Sequence, residues 1–333
     1  MSFRDSFYPA WWLNNQHLQT LYPALCRQPP QLIRVRETLI TPDNDFLDLD
    51  HYDHDTNRPL AILLHGLSGS SRSGYILGLQ QALSQQGIAS VVMNFRGCGG
   101  TPNRLARSYH SGETEDIDFL YRTLRKRFPQ RTLCAVGFSL GGNVLLKWLG
   151  EQGANIALAA AATVCVPLVL SECANRMDQG FSRLYRDRLL KELKAYIHDK
   201  HRYLEHIGAI AEAEKLHRLG DLSSIRSFWQ YDEQVIASLH GFADARDYYC
   251  RSSARQFLID IRVPTLLIQA ADDPFMTTAV LPAADELSPC VEIELHPSGG
   301  HVGFVSARQG LLPDYWLDQR IPAFLSPLLT DSP

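Results

Sequence analysis

The chain has 333 residues, 45% hydrophobic and 20% charged, with a formal net charge of −4. That composition suits a globular protein with ample core material, and the near-neutral charge gives no electrostatic case for nucleic acid or an anionic membrane surface. No stretch approaches the roughly 18–20 apolar residues of a transmembrane helix; the nearest, 156–170, is interrupted by Pro167 and reads as a buried strand plus loop. Seven cysteines without a C-x-x-C spacing, and an N-terminus (Met1-Ser2-Phe3-Arg4-Asp5) lacking a basic and then apolar run, point to reduced thiols in the cytoplasm.

Residues 1–31 are rich in aromatics and proline, with a short helix expected around 14–22 that lays Trp11 and Trp12 on the core. Trp11, Trp12 and Phe7 are also the candidates for peripheral lipid contact, although no anchor motif accompanies them. Residues 32–52 read as an N-terminal β-hairpin turning at 41–45. The cluster His51, Asp53, His54 and Asp55 looks like metal ligands but fits a solvated loop, and no metal site is assigned.

Leu60-Ala61-Ile62-Leu63-Leu64 has the continuous apolar character of a central parallel strand. It runs into His65-Gly66-Leu67-Ser68-Gly69, a loop placed to aim backbone N–H groups at a ligand. His65 is expected to brace that loop and, with Gly66, Phe138 and Cys98, is a candidate for the substrate pocket. A helix at 75–86, a strand at 88–95 and a helix at 117–128 follow, and Cys98 lies in a glycine-rich loop without the context of a nucleophile.

Gly137-Phe138-Ser139-Leu140-Gly141 fits the G-x-S-x-G nucleophile elbow, in which a strained strand-to-helix turn exposes a serine. The apolar run 132–136 precedes it and helix-forming residues 142–149 follow, which is the context the motif needs. The N–H groups of Leu67 and Leu140 are then the expected oxyanion donors. Residues 171–259 change texture to charged and aromatic residues at helical spacing, with helices expected at 181–197, 201–219 and 228–240. Such an insertion reads as a helical cap over the sheet edge, with His198, His201 and His206 on its surface.

Strands return at 264–270 and 291–295, followed by Asp272-Asp273-Pro274 and by His296 through His301. Serine, then aspartate, then histidine is the chain order of an acyl-transfer triad on a doubly wound sheet. Asp272 and Asp273 both suit the acid. His296 ends a strand before Pro297, whereas His301 follows two glycines that let a loop reach Ser139.

With these pieces in place the chain resembles the YheT-like esterase group (AB hydrolase 4 family) of the α/β-hydrolases. The resemblance is carried by Asn15-Gln16-His17-Leu18-Gln19-Thr20, His65-Gly66-Leu67-Ser68-Gly69, Asn94-Phe95-Arg96-Gly97-Cys98, Tyr109-His110-Ser111-Gly112-Glu113-Thr114, the elbow, Asp272-Asp273-Pro274-Phe275-Met276 and Gly299-Gly300-His301-Val302-Gly303-Phe304. It implies Ser139, Asp273 and His301 as the triad, the acid standing directly before the proline. It also implies one α/β-hydrolase domain over 1–333, with a mostly parallel sheet, helices on both faces and a cap at about 171–259. The expected activity is cofactor-free cleavage of small carboxylic esters of short- to medium-chain acids through an acyl-serine. A thioesterase or amidase, or a binding protein that has lost its chemistry, would use the same scaffold. Oligomeric state and natural substrate stay open.

Overall fold

The computed structural model describes residues 7–308 and 310–330; the first five residues, on which the reading of the N-terminus rests, lie outside them. The chain opens with α1 (Gln16–Cys26), capped by Asn15, whose side chain accepts the N–H groups of His17 and Leu18. Strands β1 (Val35–Ile40) and β2 (Phe46–Tyr52) form an antiparallel hairpin. Next come β3 (Leu60–Leu64), α2 (Gly74–Gln85), β4 (Ala89–Met93), α3 (Glu115–Arg127), β5 (Leu133–Phe138), α4 (Leu140–Gln152) and β6 (Ala160–Val164).

A helical stretch then intervenes: α5 (Leu170–Met177), α6 (Ser182–His206), α7 (Ile210–His217), α8 (Phe228–Tyr231), a π-helical segment (Asp232–Ala237), α9 (Ser238–His240) and α10 (Ala245–Ser252). The chain returns to the sheet with β7 (Thr265–Ala270) and β8 (Val291–His296). It closes with a separate hairpin, β9 (Val305–Arg308) and β10 (Leu312–Tyr315), and α11 (Leu317–Thr330).

The eight-stranded sheet has the order β1-β2-β4-β3-β5-β6-β7-β8. Strands from β4 to β8 pair in parallel, and β1 and β2 add an antiparallel edge. This is the α/β-hydrolase architecture. Every residue of β3, β4, β5, β6 and β7 is buried, as a parallel sheet covered on both faces requires. Successive side chains alternate between two cores. Leu60, Ile62 and Leu64 pack with α3 and α4, while Ala61 and Leu63 pack with α2 and α11. Fully burying one such leucine contributes ~1.5–3 kcal/mol.

The helical stretch has its own core around Leu190, Leu193, Ile197, Leu204, Val235 and Tyr248. The structure corrects the expected break between 197 and 201, because α6 runs unbroken through it. Lys200 is buried there, its ammonium donating to Asn103 Oδ1 (2.7 Å), Ala106 O (3.0 Å), Arg107 O (2.8 Å) and Ser108 Oγ (2.8 Å). Those acceptors, shared among three N–H groups, fasten the helical layer to the 103–108 loop and offset the burial only in part, since it still pulls Lys200 down to about 7.

Phe7 is a further correction. It is 4% exposed, packed among Phe304, Trp316 and His296, so it is no surface for lipid. Trp12 packs on Tyr22 and only Trp11 projects outward. Among the described residues no helix is long and apolar enough to cross a membrane.

After β4, Arg96 is buried with three carboxylates: Asp116 (2.7 Å), Asp43 (2.7 Å) and Asp45 (3.1 Å). It ties the turn of the edge hairpin to the start of α3. Removing one partner from such a buried cluster leaves uncompensated charge and costs ~3–5 kcal/mol, so Arg96→Met should lower the unfolding free energy in urea by about that much. A loss below ~1 kcal/mol would show that the cluster is dispensable for stability.

Candidate active site

Ser139 sits between β5 and α4 with φ 50° and ψ −119°, a conformation a non-glycine residue adopts only when its surroundings hold it there. Its N–H donates to Val164 O (2.8 Å) on the neighbouring strand, and its carbonyl accepts the N–H of Asn143 (3.0 Å). The flanking glycines are required by contact. A Cβ on Gly137 would stand 2.6 Å from Gly141 O, and one on Gly141 would stand 2.5 Å from His65 O.

The Ser139 hydroxyl lies 2.9 Å from His301 Nε2, and His301 Nδ1 lies 2.8 Å from Asp273 Oδ2. In the tautomer this chain of bonds requires, Nδ1–H donates to the carboxylate and Nε2 accepts from the hydroxyl. Asp273 is buried, and its other oxygen accepts the N–H of Phe275 (2.8 Å). Phe275 lies flat on the imidazole, with ring centroids 4.0 Å apart and planes within 10°.

Asp272 faces the other way. Its Oδ1 accepts the N–H of Gly300 (2.9 Å), bracing the histidine loop, and burial raises its pKa. His296 is bonded to Glu294 (2.9 Å), which also holds Arg320, so this histidine belongs to the packing around β8.

Leu67 and Leu140 both face the Ser139 end of a cavity of about 630 Å³. Leu140 is the first residue of α4, where a helix leaves its amide unpaired. On either side of Leu67 the amides are tied down: Gly66 N–H donates to Tyr75 Oη (2.9 Å) and Ser68 N–H to Tyr109 Oη (3.0 Å). The cavity runs from this end beneath the helical layer, where Leu193, Ile197, Phe228, Val235 and Leu239 line it.

Of the pocket candidates, Gly66 lines the cavity, and three are corrected. His65 is buried beneath the loop, where it accepts the N–H of Phe95 (3.2 Å) and bonds Gly66 O (2.8 Å); burial pulls it down to about 4. Phe138 points into the core on the α2 side, against Tyr75. Cys98 packs against the other core, its thiol pushed up to about 12 by burial, which makes it a poor nucleophile.

Several residues at the site had no role assigned from the sequence, although Gln19 and Thr20 stand in the stretch that carries the resemblance. Thr20 Oγ1 accepts the N–H of His301 (2.9 Å). Gln19, fully buried, donates to Val305 O (2.9 Å) and accepts its N–H (2.8 Å). Asn143, one turn after Ser139, bonds Ser111 O (2.8 Å), Ser252 O (2.7 Å) and Ala254 N–H (3.0 Å). The available signal was polar residues at positions where helix periodicity calls for apolar ones.

Among the described residues, two groups bring potential metal ligands together: Cys165 with Asp273 and His301, and His110 with Glu113 and His240. In the first, Asp273 and His301 bond each other and burial holds the thiol well above its usual range. In the second, Arg107 donates to Glu113 Oε2 (2.6 Å), placing a guanidinium where a cation would sit. Neither donor set fits a metal ion.

A family model described as alpha/beta hydrolase fold matches residues 59–307. The "Putative esterase YheT" of Escherichia coli (strain K12) is 40% identical over 326 residues, 97% of this chain and 94% of that protein. "Phospholipase ABHD3" of Mus musculus is 29% identical over 93% of this chain and 75% of its own length. Among solved structures, the Pyrococcus furiosus esterase Pf2001 superposes with a TM-score of 0.56 at 14% identity, covering 91% of this chain and 97% of that one, which speaks to the fold alone.

Because a methyl at position 141 has no room against the His65 and Leu64 carbonyls, Gly141→Ala should destabilise the protein by ~1–3 kcal/mol in urea unfolding. It should also misplace the Ser139 hydroxyl. An unchanged melting curve would show that the turn relaxes freely.

Proposed function

The chain belongs to the α/β-hydrolase family, in the group of the Escherichia coli protein YheT, and on that premise we propose that it cleaves carboxylic esters through an acyl-serine formed on Ser139. The observation that carries this reading is the Ser139–His301–Asp273 chain of bonds at one end of a largely apolar cavity.

Ser139 Oγ attacks the ester carbonyl as His301 Nε2 takes its proton. The negative charge that develops on the carbonyl oxygen faces the N–H groups of Leu67 and Leu140, each worth ~2.7–4 kcal/mol of barrier when well aimed. His301, now an imidazolium beside Asp273, returns the proton to the departing alcohol. A water then repeats the sequence on the acyl-enzyme, releasing the acid and restoring the serine. Tyr75 and Tyr109 fix the Leu67 amide by holding its two neighbours, and Phe275 keeps the imidazole in plane.

The substrate in this reading is a small ester with a short- to medium-chain acyl group, housed under the helical layer that acts as a cap. All seven cysteines are unpaired, in keeping with a reducing, cytoplasmic setting.

A fluorophosphonate probe should add once to the native protein and not to Ser139→Ala, read by intact mass. An adduct that survives in the variant would remove Ser139 from the role. On p-nitrophenyl esters, Ser139→Ala and His301→Ala should each lose ~10⁶ in kcat and Asp273→Asn ~10⁴, with melting temperatures near native. Tyr109→Phe removes one anchor of the donor loop and should lower kcat by ~10-fold with little change in KM. A rise confined to KM would instead place Tyr109 in ground-state binding.

A further inference from the structure

One wall of the cavity does not suit a plain hydrocarbon chain. Tyr231, Asp232, Val235, Ile236, Leu239 and His240 all line it, although α-helical geometry would turn the face by about 40° at each four-residue step. The π-helical segment Asp232–Ala237 widens the turn and keeps these pairs facing inward. Within that wall Asp232 is 8% exposed. Its Oδ2 accepts the hydroxyl of Tyr249 (2.5 Å), and among the described residues Oδ1 has no partner. Among the described residues no cation acts on the carboxyl. Burial alone pushes it up to about 7, with the Tyr249 bond as the one opposing influence.

A carboxyl held in an apolar chamber without a counter-charge costs stability, and an apolar side chain of similar volume would line a hydrocarbon tunnel better. Phe228, Tyr231, Tyr248 and Tyr249 add aromatic walls around the same end of the cavity. The Asp232 carboxyl lacks a donor, which whatever enters can supply.

We propose that Asp232 is the recognition residue of a subsite that takes a hydrogen-bond donor, a hydroxyl or a protonated amine, carried on the substrate chain away from the ester carbonyl. The subsite deepens, and rests on, the ester-hydrolase reading. A hydroxyl pairs with Asp232 Oδ1 whether the carboxyl is protonated or ionised, being both donor and acceptor. A protonated amine needs the carboxylate and gains from the neighbouring ring faces. Asp232 touches the substrate chain and takes no part in bond breaking, so it is a specificity residue.

The test uses a length series of straight-chain methyl esters, unsubstituted, ω-hydroxy and ω-amino, titrated by calorimetry into the full-length Ser139→Ala protein so that turnover does not enter. At the best-fitting length the hydroxy or amino ester should bind at least ~10-fold more tightly than its unsubstituted counterpart. Which of the two wins identifies the donor. Adding Asp232→Leu should abolish that preference and tighten the unsubstituted ester. Tyr249→Phe removes the same internal brace but leaves the carboxyl, so it should keep the preference. This variant stays informative if Asp232→Leu does not fold. Equal binding of all three esters at every length, or a preference lost equally in Tyr249→Phe, would overturn the proposal and leave Asp232 as a brace for Tyr249. A preference for the donor-bearing ester in a protein whose native form hydrolyses none of the series would overturn the hydrolase reading and leave the subsite standing.

Discussion

The turn at Ser139 is the constraint that the surrounding structure serves. A positive φ on a non-glycine residue costs ~1–3 kcal/mol, and it persists only where neighbouring bonds allow no alternative. Here the Ser139 amide is tied to Val164 and its carbonyl to Asn143. The two glycines let β5 and α4 close on each other and on the end of β3, so the geometry of the sheet dictates the geometry of the turn. Strand order matters for the same reason. β5 lies between β3 and β6, which brings the 65–69 loop to one side of the serine and the carbonyl of Val164 to the other.

Around that turn the loops are held by buried polar side chains. A loop has no ladder of its own, and its buried N–H and C=O groups must find partners elsewhere. Tyr75 and Tyr109 supply acceptors to the 65–69 loop, and Asp272 and Thr20 to the 299–301 loop, while Gln19 both accepts from and donates to Val305 just beyond it. This explains why α1, remote from the sheet in sequence, reaches the site. The helix presents Gln19 and Thr20 to the segment that carries His301, and Gly300 packs without a side chain against the Gln16 carbonyl. The cost of ordering these loops is offset by bonds made on folding.

The helical layer is joined to the sheet domain in a different way. It encloses a core of its own, and polar side chains bond it outward to several loops on the sheet side. Lys200 grips the 103–108 loop, Ser182 Oγ donates to Pro274 O (2.5 Å), and Tyr185 packs on Phe275, the ring that covers His301. Movement of α6 would therefore be felt both at the imidazole and, through the 103–108 segment, at Tyr109 and the Leu67 loop.

The amino-acid sequence by itself determined the element types and the fold class, because strands buried on both faces must be apolar throughout and helices on a sheet must show their own period. It also marked the elbow, since few residues other than glycine permit that backbone approach. It left the hairpin at 305–315 and the helix at 317–330 unread, the latter because Pro322 and Pro327 interrupt the helical pattern. It broke the helix between 197 and 201, where α6 runs on unbroken and buries Lys200. The resemblance already pointed to Asp273 over Asp272, and the tertiary structure adds where each carboxylate bonds, Asp273 to His301 and Asp272 to the Gly300 N–H. The tertiary structure alone turned His65, Phe138 and Cys98 away from the cavity and brought Gln19, Thr20 and Asn143 to the site. Local sequence reports backbone sterics and periodicity, which act over a few residues. Which groups meet some 280 positions apart, as the Thr20 hydroxyl and the His301 N–H do, is set by how the whole sheet closes.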